Sequence, residues 1–392
     1  MKRAPHPVSK RRLTLGHTVV GAAIGAVALL LTVAAAASSS PATATSTANL
    51  KTDLNGLVAA GAPGALLYVR DGGKTTSITS GYGDLAHKTP MRATDHFKIA
   101  SLTKTYTATL VLQLVQEGKL RIGDNVEQWL PRLVPNGRHI TVHMLLNHTS
   151  GLADFDSDPR YLKPYLSGNL GYYWSPGQLI KLAMAHKPLF PPGKTTHEAY
   201  SNTDYVLLGL IVEKITGRSL AAEMQQRIFT PLHLTETSFP TKPGLESPYA
   251  HGYMVLGRPP AVDVTGLSPS MSPASGAIVA DAHDTADFYR ALLAGRLLNA
   301  GLLNAMKTTI SSGPHFDIPG QRYGFGLESF PTRCGLAWGH NGVLPGYLTF
   351  IYSSSDGRRQ ALLMVNHDAT TLPKVVPPMF FKLIAKAYCS TT

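Results

Sequence analysis

Two cysteines, three tryptophans and only 15% charged residues in a chain of 392 set limits before any motif is read. With Cys334 and Cys389 alone, the chain is neither a disulfide-dense scaffold nor the holder of a cysteine-rich metal centre. No Cys/His cluster has metal-ligand spacing. His143 and His148 stand five apart with no third ligand near them, so they read as structural, and no metal or cofactor is expected. Beyond residue 12 there is no run of lysine or arginine. The net charge of +12 therefore describes a solvated surface, not a nucleic-acid footprint. No internal repeat is present.

Long hydrophobic runs are also scarce, and the longest lies at the start. Lys2, Arg3, Lys10, Arg11 and Arg12 precede an apolar stretch over 19–37, and Ser/Ala/Thr/Pro-rich sequence follows to about residue 48. This is the basic, apolar and small-residue order of a secretory signal over 1–37, with a flexible linker over 38–48. The apolar stretch also reaches the lower range of a membrane span. A retained anchor over 19–37 therefore stays open, although richness in Ala and Gly and the Ala35-Ala36-Ala37 end favour cleavage. Arg11-Arg12 is compatible with a twin-arginine route or an ordinary basic start. Without the five leader charges the net charge falls from +12 to +7. A secreted or extracytoplasmic protein is expected, with membrane contact only if the leader is retained.

The remaining 49–392 reads as one domain. Segments 65–69 and 75–82 flank Asp71-Gly72-Gly73, a hairpin signal, and 346–352 with 360–366 form a second pair. A closing helix starts near Pro378 and carries Phe380, Leu383, Ile384 and Tyr388 on its apolar face. Helical patterns fall between these ends at 101–117, 141–146, 175–185, 202–216 and 285–293. The expected fold is α+β: an antiparallel sheet built from both termini and covered by helices. A mainly helical second subdomain would be inserted over roughly 101–280, with the site between the two parts.

Three short motifs carry the chemistry. Ser101-Leu102-Thr103-Lys104 is the only S-x-x-K between apolar flanks, Tyr200-Ser201-Asn202 the only Y-x-N, and His340-Asn341-Gly342 the only H-x-G. A serine hydroxyl needs a base within hydrogen-bond reach, and residues three apart on a helix share a face. At a helix N-terminus, free N–H groups also favour developing negative charge. Lysine serves as base only when neutral, which burial achieves. Each motif has a plainer reading: a cap with a solvated lysine, a turn feeding a helix, and an Asn-Gly hairpin turn. All three in this order argue for a site.

With these residues in view, the chain resembles the penicillin-recognising serine hydrolases, a family that includes class C β-lactamases and, closer still, secreted D-alanyl-D-alanine carboxypeptidases. The likeness runs from about Gly61 to Cys389. It rests on Gly61-Ala62-Pro63-Gly64, Phe97 to Lys104, Leu145-Leu146-Asn147-His148-Thr149-Ser150-Gly151-Leu152, Pro192-Gly193, Tyr200-Ser201-Asn202 and Gly339-His340-Asn341-Gly342. The resemblance implies the β-lactamase/transpeptidase-like fold and an acyl-enzyme hydrolase. Ser101 matches the nucleophile, Lys104 its proton acceptor, and Tyr200 the phenol that passes protons to the leaving group and from water. Asn202 matches the amide that orients the lysine and binds substrate. His340 stands where many relatives carry a lysine, each helping to keep the tyrosine's field positive. Backbone N–H groups of Ser101 and Val343 would form the oxyanion hole, and Ser275 would border the pocket. Whether Lys104 or Tyr200 is the base is left open.

Departures from the carboxypeptidase pattern bear on substrate. Asn341 replaces a usual threonine and Val343 a common hydroxyl residue. Glu328 stands where an arginine would be sought for a substrate carboxylate, so it is expected to repel that anion. Candidate substrates are D-Ala-D-Ala peptides of the cell wall, with β-lactams, esters or amides as alternatives. A non-catalytic envelope protein that binds through the same pocket is the alternative of another class. The relatives carry cysteines in matching places, which implies a Cys334–Cys389 disulfide in an oxidising compartment. A monomer is expected.

Overall fold

The computed structural model describes residues 47–255, 260–312 and 318–390. The expected signal or anchor lies outside them, as does the stretch 38–46 of the expected linker. The last two linker positions are helical instead: α1 spans Thr47–Ala59 and buries Leu50, Leu54 and Leu57 along one face. Among the described residues no helix is long and apolar enough to cross a membrane.

Nine strands form one antiparallel sheet. The first part of the chain supplies β1 (Gly64–Asp71), β2 (Lys74–Asp84) and β3 (Thr89–Pro90). The last part supplies β4 (Ile310–Ser311), β5 (Arg322–Tyr323), β6 (Glu328–Thr332), β7 (Gly335–Leu344), β8 (Tyr347–Ser353) and β9 (Arg359–Val365). Their spatial order is β3-β2-β1-β9-β8-β7-β6-β5-β4. Strands from opposite ends of the chain therefore meet at the centre, with Ala65 opposite Val365 and Asp71 opposite Arg359.

Side chains alternate across this sheet into two cores. On β1, Ala65, Leu67 and Val69 enter one core while Leu66 and Tyr68 enter the other; on β9, Leu363 and Val365 oppose Leu362 and Met364 in the same way. Period-2 alternation with both faces apolar requires a cover on each side. The first core is closed by α1 and the C-terminal helix α5 (Val376–Cys389), which buries Phe380, Leu383 and Ile384. A disulfide joins Cys334, in the turn between β6 and β7, to Cys389 at the end of α5.

The second core is roofed by helices from the long segment between β3 and β4. They include α2 (Thr103–Gln116), α3 (Asn202–Thr216) and α4 (Ala282–Leu293). Helix α2 is buried on every side, not along a single apolar face. Its threonines satisfy the polar cost locally: Thr105 donates to Gly326 O and Thr107 to Ala274 O. The helix stops at Gly118, whose left-handed φ of 70° closes it with an N–H to Val115 O. Helix α3 covers 202–216 as its pattern predicts, ending at Gly217 with φ 68°.

Candidate active site

The turn before α2 positions the first motif. Ala100 adopts φ 53°, unusual for a residue with a Cβ, and a 3-10 turn over Ala100–Leu102 leads into α2. Ser101 therefore stands just ahead of the helix proper, and Lys104 in its first turn reaches back to it. Lys104 Nζ lies 3.1 Å from Ser101 Oγ, 2.7 Å from Asn202 Oδ1 and 3.1 Å from Ser275 O. It also sits 4.6 Å from the centroid of the Tyr200 ring. Its side chain is completely buried, and burial lowers its ammonium to about 7, against the pull of Asp154, Asp156, Glu328 and Asp204.

Tyr200 precedes α3 and hydrogen-bonds Ser101. Its phenol is held well above its ordinary range because burial outweighs that bond, with Glu328 and Asp154 adding in the same direction. Asn202, the first residue of α3, is fixed from behind by carboxyl groups that belong to none of the three motifs. Asp154 Oδ2 accepts from both its backbone and side-chain N–H at 2.9 Å, and Asp156 Oδ2 accepts from its amide at 3.2 Å. Both residues lie just after the LLNHTSGL stretch, and only folding brings them to Asn202.

Strand β7 brings the third motif. Gly342 packs so tightly on the turn before α2 that an added Cβ would meet Ile99 O and Thr349 Oγ1 at 2.5 Å. Thus His-Asn-Gly lies inside a strand and is not a hairpin turn, and Gly342 is a packing position against the Ser101 turn. Asn341 gives its backbone N–H to Glu328 at 3.1 Å, so this edge of β7 is not bonded to β8 there. Alternate N–H groups of a strand share an edge, and β6 ends opposite Gly339. The N–H of Val343 therefore faces the open edge towards the site.

A cavity of about 870 Å³ opens over these groups. Ser101, Tyr200, Asn202, Asn341 and Val343 lie on its wall beside Asp154, Asp156 and a broad apolar lining that includes Tyr161, Leu170, Leu267 and Met271. Its size suits a small organic ligand. Among the described residues no group of His, Cys, Asp and Glu has the arrangement to hold a metal.

Two sequence expectations need correction. Glu328 is fully buried, with its carboxyl bonded to the backbone and side-chain N–H groups of Asn341, so it neither lines the cavity nor meets a substrate anion. His340 is also fully buried. Burial first, and Lys104 second, lower it to about 3, so it is neutral and supplies no positive field to Tyr200. Ser275 takes part through its backbone carbonyl; its hydroxyl pairs with Ser272 at 2.7 Å. Tyr173 and Trp174 border a separate hollow of about 170 Å³ and not the main cavity. His148 is buried against Tyr200, with ring centroids 4.6 Å apart, and is hydrogen-bonded to Asp204.

A serine and a tyrosine on a cavity wall, with a buried lysine bonded to the serine behind them, make the arrangement a serine hydrolase needs. The Beta-lactamase family pattern matches residues 50–378, and the chain belongs to that family. It is a serine hydrolase of the β-lactamase and penicillin-binding-protein group, with the corresponding fold. A D-stereospecific amidohydrolase from Streptomyces sp. superimposes with TM-score 0.77 at 38% identity, covering 82% of this chain and 95% of that one. The D-amino acid amidase of Ochrobactrum anthropi SV3, solved with L-phenylalanine amide, gives 0.78 at 27% identity over 87% and 97%. A penicillin-binding protein of Bacillus subtilis (strain 168) is 27% identical over 355 residues, 84% of this chain and 72% of the relative.

Proposed function

We propose that the protein hydrolyses amide and ester bonds through an acyl-enzyme on Ser101, acting on D-configured amino acid amides and short D-peptides. The observation that carries this reading is the position of Lys104 Nζ, 3.1 Å from Ser101 Oγ and 2.7 Å from Asn202 Oδ1 at the cavity wall. Likeness to the Streptomyces amidohydrolase and the Ochrobactrum amidase supports the substrate class.

In this mechanism Lys104 takes the Ser101 proton as Oγ attacks the acyl carbon. Its pKa near 7 leaves a neutral fraction at neutral pH, whereas Tyr200 stays a phenol; lysine is accordingly the base. Tyr200 then donates its proton to the departing amine or alkoxide and is reprotonated from Lys104. In the second half water attacks the ester, its proton returning through Tyr200. The N–H groups of Ser101 and Val343 receive the oxyanion, and one such donor is worth ~3 kcal/mol of barrier.

D-alanyl-D-alanine carboxypeptidase action is the second reading, favoured by the Bacillus penicillin-binding relative. A terminal carboxylate needs a cation or several hydroxyl donors to replace its water. Among the described residues of the cavity wall no arginine occurs, and Lys187 is exposed at the rim. Amides and esters are therefore expected to outrun free-carboxylate peptides. Export belongs to the same proposal, supported by the basic-then-apolar start of the sequence and the Cys334–Cys389 bridge.

Intact-protein mass spectrometry after incubation with a fluorescent penicillin or a D-phenylalanine ester tests the nucleophile. An adduct lost in Ser101→Ala supports it; one that persists there overturns it. A panel of D-amino acid amides, esters, cephalosporins and D-Ala-D-Ala peptides tests the class. If wild type and Tyr200→Phe were equally inert towards all of them, the protein would be a binding module.

A further inference from the structure

Behind Tyr200 runs a ladder of fully buried polar groups that the acyl-transfer chemistry does not consume. Asp204 Oδ2 lies 3.0 Å from His148 Nδ1, His148 Nε2 lies 3.2 Å from Tyr323 Oη, and Tyr323 Oη lies 3.2 Å from His340 Nε2. His340 Nδ1 meets the carbonyl oxygen of Asn341. All four side chains are at 0% exposure. The ladder touches the site along its length: the His148 ring lies tilted against Tyr200, Tyr323 stands edge-on to it at 6.2 Å, and His340 lies on β7 beside Asn341.

Donor and acceptor accounting orders the protons in this ladder. A carbonyl oxygen only accepts, so the single proton of a neutral His340 sits on Nδ1. Its Nε2 is then a lone pair and takes the Tyr323 O–H. Tyr323 oxygen accepts in turn from His148 Nε2–H. The hydroxyl of neighbouring Tyr205 donates to Leu146 O, so towards Tyr323, with which it is also hydrogen-bonded, it can only accept a share of the same proton, and the His148 end of the ladder is set independently. His148 Nδ1 is therefore a lone pair, consistent with the Ser201 backbone N–H aimed at it at 3.3 Å. An oxygen 3.0 Å from that lone pair must carry a proton. We propose that Asp204 is a neutral, protonated acid whose O–H starts a one-way hydrogen-bond ladder through His148 and Tyr323 to His340, placing Tyr200 and β7 relative to each other.

Surrounding groups agree with a neutral ladder. Burial raises the Asp204 carboxyl well above its usual range, with Asp154 adding to it, although Ser150 donates to Oδ1 at 2.6 Å and Lys104 pulls the other way. His148 is pushed well below its usual range by burial, and then by Lys104 and His340. An ionised Asp204 would force His148 to carry its proton on Nδ1 and leave Tyr323 facing two lone pairs with one hydrogen. The backbone of His148 at φ 58° and the Ala199 N–H bound to its carbonyl hold the ring where the ladder needs it. Asp204 is thus a positioning residue acting through others.

The kinetic arm of the test rests on the acyl-transfer reading, and the spectroscopic arm does not. In the wild-type protein labelled with 15N-histidine, His148 should appear as the Nε2–H tautomer and His340 as the Nδ1–H tautomer, assigned with His340→Gln. A proton on His148 Nδ1, or an imidazolium at either ring, overturns the proposal. Asp204→Asn keeps a donor without charge and should hold kcat within about threefold. Asp204→Leu removes the donor and should lower kcat by about 10- to 100-fold while KM moves little. A collapse of Asp204→Asn to the level of Asp204→Leu would show that the charge is required and overturn the ladder. Absence of any Ser101 adduct would sink the acyl-transfer reading while the tautomers still decide this one.

Discussion

Asn341 turns its backbone N–H and its side-chain amide onto Glu328, with donor–acceptor distances of 3.1 Å. The carboxyl that a linear comparison would place among substrate contacts is instead a brace for the strand carrying them. Glu328→Arg should therefore give no gain in kcat/KM for carboxylate-bearing peptides over neutral esters. An unpaired cation in a fully buried position costs several kcal/mol, so Tm should fall by roughly 5 °C or more in a thermal melt. A soluble, stable Glu328→Arg enzyme with improved D-Ala-D-Ala cleavage would show that this brace has been misread.

The pH profile of kcat/KM should report Lys104. Its folded value near 7 means that the ammonium dominates below that pH and cannot accept the Ser101 proton. The logarithm of kcat/KM should therefore rise with unit slope through acidic pH and flatten above about 7. Because Tyr200 is held well above its ordinary range, no falling limb from its ionisation is expected below pH ~10. Lys104→Met should remove the rising limb together with at least ~100-fold of rate. A limb that survives in that variant belongs to another base.

Gly342→Ala tests the contact between β7 and the nucleophile turn. Its methyl group would arrive 2.5 Å from Ile99 O and Thr349 Oγ1, and 3.0 Å from Ala100 Cβ. The Ile99 carbonyl is backbone, and the two side-chain atoms are short and held against it with no flexible end to yield, so β7 must back away from Ser101. An approximately 100-fold loss in kcat/KM is expected with the fold retained by circular dichroism. Activity near wild type would mean that the strand does not set the geometry of the reaction.

The bridge between Cys334 and Cys389 closes a loop with a sequence separation of 55 and lies at the opposite end of β7 from Val343. Replacing both by serine should lower stability by ~4 kcal/mol, read by denaturant unfolding, and leave KM unchanged. A large change in KM without loss of stability would link the bridge to the site.

How far the sequence reveals all this depends on whether a feature is local. Helix α3 ends where its glycine falls, and the hairpin of β1 and β2 turns at Asp71-Gly72-Gly73, because turn and cap chemistry are properties of a few adjacent residues. Ser101 and Lys104 are three apart and readable for the same reason. Helix α1 has an i, i+4, i+7 apolar face, but only three leucines mark it beside a Ser/Thr-rich start. The placement of Glu328 depends on the direction of an alternating strand, and one position either way would turn it to the cavity. Asp204 and His148 are 56 residues apart, and no spacing rule pairs them. The charge state of His340 is not legible in its motif, because a motif records residue type whereas burial decides ionisation.

Finally, the central pairing of β1 with β9 has a consequence for the newborn chain. Ser101 and Lys104 are made early, yet the strand that backs the nucleophile and the partner that completes the middle of the sheet come more than 230 residues later. Contacts of such long sequence separation form late and slowly. Until they do, Lys104 keeps its water and its ordinary charge, and Ser101 remains an unremarkable alcohol. On the proposed mechanism, closing the sheet is then the activating event, and a partly made chain should carry the motif without the reactivity.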